Sequence, residues 1–266
     1  MTAPVAPMPV AMPGMLSLPS GGLALHGIRH LSPSSINAYV AQPAAWVMER
    51  LLQRRAPVGS AAHRGTAAEA GIVMGLLDPS VTIEACVAHA LAEYDRLTAL
   101  SSDPNRVKER DGIPGMVATA IPELRQYGIP QTQLRVDRSI DGMPVPVVGY
   151  LDLHWPELGM TLDIKTTHRV PGDCSTAHAR QVGLYVHGSN HQARVAYCSP
   201  KRVAVYALTD AARHVAEAVQ IAQRMDRFLA LSADPLALAS LLVPDSDHYF
   251  YANPVAAAHR REVYGV

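Results

Sequence analysis

Cysteine is scarce: the chain has three, Cys86, Cys174 and Cys198, with no CxxC pair and no Cys/His ligand spacing. That argues against a disulfide framework, a structural zinc site or an iron–sulfur cluster, and it fits a reducing cytosol. Net charge is lacking too, because 23 basic residues balance 23 acidic ones. A nucleic-acid surface, if present, must then be a local patch, and the candidates are 50–55, 106–110 and Lys201-Arg202. Residues 1–28 contain no Lys, Arg, Asp or Glu but carry Pro4, Pro7, Pro9, Pro13 and Pro19. Without a basic leading segment this stretch does not read as a signal peptide, and its prolines forbid a spanning helix, so no membrane partner is expected. It reads as a flexible, Pro-rich arm.

What remains is a globular chain, 48% hydrophobic and 17% charged, long enough to bury one large core. Ser32-Pro33 opens a helix, with serine as cap and proline in its first turn. Pro43 breaks it and helix resumes over 44–53. Residues 59–71 read as a helix of small residues against which another element can pack closely. Further helices are expected over 80–100 and 116–127, with a charged loop holding Pro104 and Gly112 between them. From 131 the period changes to strands, at about 132–140, 143–154, 160–166, 193–198 and 202–208, interrupted by a helix over 176–189. Residues 210–231 form an amphipathic helix capped by Asp210. The prediction is an α/β domain over 29–266, with a helical N-terminal extension (29–130) and a mixed sheet flanked by helices (131–266).

The most informative stretch is Gly149-Tyr150-Leu151-Asp152-Leu153-His154, followed by Thr161-Leu162-Asp163-Ile164-Lys165. Pro156-Glu157-Leu158-Gly159 reads as the turn of a hairpin. With Trp155 facing Met160, the register sets Asp152 opposite Asp163. Lys165 joins that face, while Leu162 and Ile164 point to the apolar side. Directly opposed acids lie roughly 4.5–5.5 Å apart at Cβ and destabilise a sheet unless a cation or a shared proton compensates. Few hard oxygen ligands suit Mg²⁺ or Mn²⁺ better than Zn²⁺. Gln181 and Tyr185, four apart on the 176–189 helix, share one face and could hold a phosphate or a base. His63 lies on the small-residue helix, within reach of a metal or phosphate.

In this order, His63, Asp152, Asp163-Ile164-Lys165 and Gln181-x-x-x-Tyr185 resemble the RecB-like, phage-exonuclease branch of the PD-(D/E)xK nuclease superfamily. Leu31-Ser32-Pro33-Ser34 through Gln42-Pro43 is similar to the helical lead-in of that branch, and 244–254 to the ends of its phage exonucleases. The resemblance spans about residues 30–262 and implies a restriction-endonuclease-like core. It implies that Asp152, Asp163 and Lys165 are catalytic. It also implies that His63, Asp152, Asp163 and Ile164 form the Mg²⁺ or Mn²⁺ set, with Glu69 as further support, and that Gln181 and Tyr185 orient DNA. Relatives with an iron–sulfur cluster have a cysteine where Gln42 stands, so no cluster is expected. No G-x-x-x-x-G-K-[ST] loop is present, so no motor accompanies the domain. The implied function is a metal-dependent exonuclease acting on linear DNA in phage or bacterial recombination or repair. The expected partners are DNA and either a homo-oligomer or an annealing protein. The alternative is a catalytically inactive DNA-end-binding partner on the same fold; a hydrolase of another phosphoester is a third class.

Overall fold

The computed structural model describes residues 21–266. Five helices precede the sixth, which leads into the sheet: α1 (Gly22–Leu25), α2 (Pro33–Ala41), α3 (Pro43–Arg50), α4 (Ser60–Leu77), α5 (Ile83–Leu97) and α6 (Arg106–Arg125). Strands β1 (Gln131–Arg138), β2 (Val147–Trp155) and β3 (Met160–Thr166) follow, then α7 (Thr176–Val186), β4 (Gln192–Cys198) and β5 (Val203–Ala207). Helices α8 (Ala211–Leu229), α9 (Pro235–Ala239) and α10 (Pro254–Tyr264) close the chain. The fold is α/β: a five-stranded mixed sheet in the order β1-β2-β3-β4-β5, flanked by helices and preceded by a helical region. Only β3 and β4 are parallel, and α7 supplies the crossover between them that this pairing requires.

One face of the sheet, with Leu153, Trp155, Leu162 and Ile164, packs on α4–α6. Small residues set that distance: a Cβ on Gly71 would lie 2.7 Å from Cys86 O, and one on Gly75 2.7 Å from Ile121 Cδ1. Leu151, Val195 and Tyr197 face α7 on the other side. Ser175 caps α7 by accepting from His178 N–H. Among the described residues no helix is long and apolar enough to cross a membrane, and the three cysteines are free.

Three expectations differ from the structure. Residues 21–28 belong to the fold rather than to an arm, and the rest of the expected arm, residues 1–20, lies outside the described residues. Leu23 is fully buried beside Met225 and Leu229, and its N–H donates to Asp226 Oδ1 at 2.9 Å. Lack of charge does not make this segment solvated, because Leu23 docks on α8 and gains roughly 1.5–3 kcal/mol by burial. The charged loop is also shorter than expected: it holds Pro104 but ends at Asn105, and α6 begins at Arg106, so Gly112 is helical. Glu109 is 7% exposed and pairs with Arg64 of α4, so this charge run is a helical turn with one buried acid and its other side chains toward solvent. Strand β2 starts at Val147 rather than 143 because Pro144 and Pro146 bring no N–H to a ladder.

Candidate active site

Strand β3 delivers the centre of the site. Leu162 and Ile164 are committed to the α4–α6 core, so the alternation of the strand turns Asp163 and Lys165 toward α7. Asp163 is 2% exposed, and its Oδ2 lies 2.6 Å from Lys165 Nζ. From α7, Gln181 Nε2 donates to Asp163 Oδ1 at 2.9 Å and to Tyr185 Oη at 3.1 Å. Asp163 Oδ2 has no hydrogen-bond partner; it meets Lys165 as an ion pair without hydrogen-bond alignment.

Asp152 enters where the hairpin opens. The paired register, Leu153↔Leu162 to Trp155↔Met160, is the expected one, but it stops one residue short of Asp152. There the side chain replaces the backbone, as Asp152 Oδ2 accepts the Ile164 N–H at 2.8 Å. Pairing with β1 also skips this point, between Thr132↔Leu153 and Leu134↔Leu151. Gln133, the residue skipped on β1, has φ 52°, a left-handed value that a non-glycine residue adopts at a cost. Across the break β2 exchanges faces: Leu153 packs on α4–α6 whereas Leu151 packs on the α7 side. Gln133 Nε2 then reaches Glu69 Oε1 at 2.7 Å, bringing a third carboxylate from α4.

These acids act on one another. Burial, then the Asp163 and Glu69 charges, raise the Asp152 pKa to about 8. Glu69 is raised as well, by burial and then by Asp163, against the lowering effects of Lys165 and Gln133. Burial works to lower Lys165, but Asp163 and then Asp152 prevail, so its pKa lies above the ordinary lysine value and it stays an ammonium. One ammonium does not balance three carboxylates. The Oδ2 of Asp163, met by a single ammonium, and the proton held by Asp152 are what a divalent cation would satisfy and displace. Among the described residues no three His, Cys, Asp or Glu side chains form a ready-made cage. Asp152 and Asp163 fit an ion such as Mg²⁺, which is commonly held through one or two carboxylates and completed by water and phosphate.

Asp152, Asp163, Lys165, Gln181 and Tyr185 are thus brought together, with Glu69 in their field. His63 stands in the first turn of α4, half-buried, roughly a third of the helix circumference from Glu69. Among the described residues it makes no hydrogen bond to either aspartate. The Ile164 side chain is in the opposite core, and its N–H is given to Asp152. Tyr185 is not a stacking platform: it is 6% exposed, and its ring fills the space left by Gly149, where a Cβ would lie 2.3 Å from Tyr185 Cε1. Burial pushes its hydroxyl up to about 12, so it remains a neutral partner for Gln181. Gln181 and Tyr185 act here on Asp163.

Three residues at or behind the site have no counterpart among the sequence-based candidates. Gln133 holds Glu69. Arg64 Nε donates to Thr166 Oγ1 at 3.3 Å, and Arg64 pairs with Glu109, fastening the end of β3 to the helical region. His178, one turn before Gln181, lies 2.7 Å from Tyr197 Oη through Nδ1, and burial followed by Lys165 lowers its pKa. The spacing His178, Gln181, Tyr185 is a helical stripe, and it is the one signal that could have found His178.

No protein-family model matches this chain, and no curated protein does. Solved structures do: one described as "Crystal structure of SSO0001" is 20% identical over 52% of this chain and 67% of its own, with a TM-score of 0.33.

Proposed function

We propose that the protein is a Mg²⁺- or Mn²⁺-dependent deoxyribonuclease of the RecB-like PD-(D/E)xK type. It would act as an exonuclease on linear DNA in phage or bacterial recombination or repair, in the cytosol. One observation carries the reading: a buried Asp163, ion-paired to Lys165 and oriented by Gln181, faces an Asp152 whose pKa is raised to about 8. Strongly perturbed titratable groups that converge with one purpose mark functional sites. Asp152 and Asp163 would hold the ion, with Glu69 behind them; the ion supplies positive charge at the phosphate and makes water a better nucleophile. Lys165, kept as an ammonium, would stabilise the charge that grows on phosphorus rather than take the proton of the attacking water. Gln181, fixed through Tyr185, would keep Asp163 in place. DNA is the partner this requires, and a homo-oligomer or an annealing protein is compatible with it.

The test is a time course on 5′- and 3′-labelled duplex and single strands, with Mn²⁺ and EDTA arms. Loss of full-length DNA in Mn²⁺ alone is expected, and Asp163→Ala or Lys165→Ala should abolish it while circular dichroism shows each variant still folded. Wild-type-like digestion by either variant would refute the assignment. A shifted but intact band from the wild-type protein would favour the end-binding alternative.

A further inference from the structure

Beyond Thr166 the ends of the parallel strands β3 and β4 bound a cleft of about 460 Å³, lined by His168, Arg169, Val170, Ser199, Lys201 and Arg202. Its charge is of one sign. No Asp or Glu lines it, and among the described residues Arg169, Lys201 and Arg202 form no ion pair. Cations gathered without a counter-charge repel one another and raise the local concentration of anions.

The frame behind these cations is fixed. Ser199 Oγ accepts from Arg202 N–H at 3.1 Å and donates to Arg202 O at 2.8 Å, which closes the β4–β5 turn. Thr119 of α6 donates to Ser199 O at 2.9 Å, and Thr167 N–H joins the two rims through Cys198 O at 2.9 Å. His168 Nε2 lies 2.9 Å from Glu109 Oε2, the buried carboxylate paired with Arg64. The cleft also sits outside the carboxyl ends of parallel strands, where open α/β sheets receive ligands.

We propose that this cleft is a second, non-catalytic site for the phosphate backbone, seating a nucleic-acid strand a few nucleotides from Asp163 and Lys165; the ligand class rests on the nuclease reading. Arg169 follows Lys165 by four residues, a reach of at most about 14 Å in extended chain. At about 3.4 Å of rise per nucleotide, that is roughly four steps of one strand. Charge without base-reading geometry fits a backbone contact, which positions a strand irrespective of its sequence.

Fluorescence anisotropy of a labelled duplex, titrated with the full chain in EDTA over a range of salt, tests this without hydrolysis. Lys201→Gln/Arg202→Gln should lower the slope of log affinity against log salt by about two, and Arg169→Gln by about one. All three side chains are exposed, so wild-type melting temperatures should accompany these changes. Wild-type slopes in both variants would overturn the cleft, as would a wild-type protein that does not bind DNA. If the wild type hydrolyses DNA in Mn²⁺ while the variants keep its slope, the cleft fails and the nuclease reading stands. If the slopes fall as expected but Mn²⁺ elicits no hydrolysis, the cleft stands and the nuclease reading fails.

Discussion

Replacing Asp152 by asparagine isolates the cost of its buried charge. Burial, then Asp163 and Glu69, raise the carboxyl from the ordinary 3.8 to about 8. A carboxyl raised in this way holds its proton more tightly folded than unfolded. Its stabilising effect is complete below about pH 4 and is lost as pH rises through about 8. At about 1.4 kcal/mol per unit, a shift of about four units sets a ceiling of roughly 6 kcal/mol over that window. Asparagine keeps the shape and can still accept the Ile164 N–H through its amide oxygen, but it never ionises. In EDTA, Asp152→Asn should therefore melt above the wild type at pH 8, with the gap closing as pH falls toward 4. A third of the ceiling, about 2 kcal/mol, corresponds to roughly 4–8 °C for a protein of this size. Mn²⁺ should reverse the order. At a hundredfold excess over its Kd it adds about 2.7 kcal/mol to the wild type, most of which the variant forgoes. Wild-type affinity for Mn²⁺ should weaken as pH falls below about 8, since the ion must displace the Asp152 proton. Scanning calorimetry at both pH values, with EDTA or Mn²⁺, decides the matter. Equal melting temperatures in EDTA at pH 8, with both proteins stabilised alike by Mn²⁺, would refute the reasoning.

Other perturbations test the supports of the site. Gly149→Ala sets a methyl group 2.3 Å from Tyr185 Cε1, so the ring must move, at a cost of about 1–3 kcal/mol. DNA digestion should fall with it, because the hydroxyl that anchors Gln181 is displaced; urea unfolding and a nuclease assay with unchanged values would contradict this. Glu109→Gln leaves the buried Arg64 guanidinium without its counter-charge and should destabilise by about 3 kcal/mol in urea. Leu23→Ala should cost about 2–5 kcal/mol on thermal unfolding, whereas a solvated arm would give no change.

The parts of the site that the sequence makes legible are those governed by local periodicity. The turn at Pro156–Leu158 with Gly159 in the left-handed region fixes the hairpin register, and period-two alternation divides Asp163 and Lys165 from Leu162 and Ile164. Four-residue spacing on a helix likewise joins Gln181 to Tyr185. What was not legible depends on distant partners. Nothing near Glu109 announces that Arg64, 45 residues earlier, will neutralise it, so by sequence alone its charge run reads as solvated loop. Leu23 is apolar within an uncharged, proline-rich stretch, and only α8, some 200 residues later, makes it core. The exchange of faces at Asp152 has no sequence signature either. Strict alternation from Leu151 to Leu153 would place both on one side, whereas the ribbon of β1 and β2 turns over between them.

That turning point is where departures from ordinary protein architecture accumulate. Gln133 adopts a left-handed φ in a strand, and the ladder lapses on both sides of Asp152. A carboxylate oxygen replaces a main-chain acceptor for Ile164, and Asp163 Oδ2 is buried without a hydrogen bond. Each departure costs stability, and apolar residues of similar volume would generally be neutral or better at a buried ionic cluster. A sheet built only to be stable would continue β2 against β3 and fill the gap with Leu or Val. Instead the strands part beside Asp163, with one carboxylate brought from each strand and a third from α4. Consistency across the rest of the fold makes this concentration of costs informative, because natural chains break local rules chiefly where function requires it.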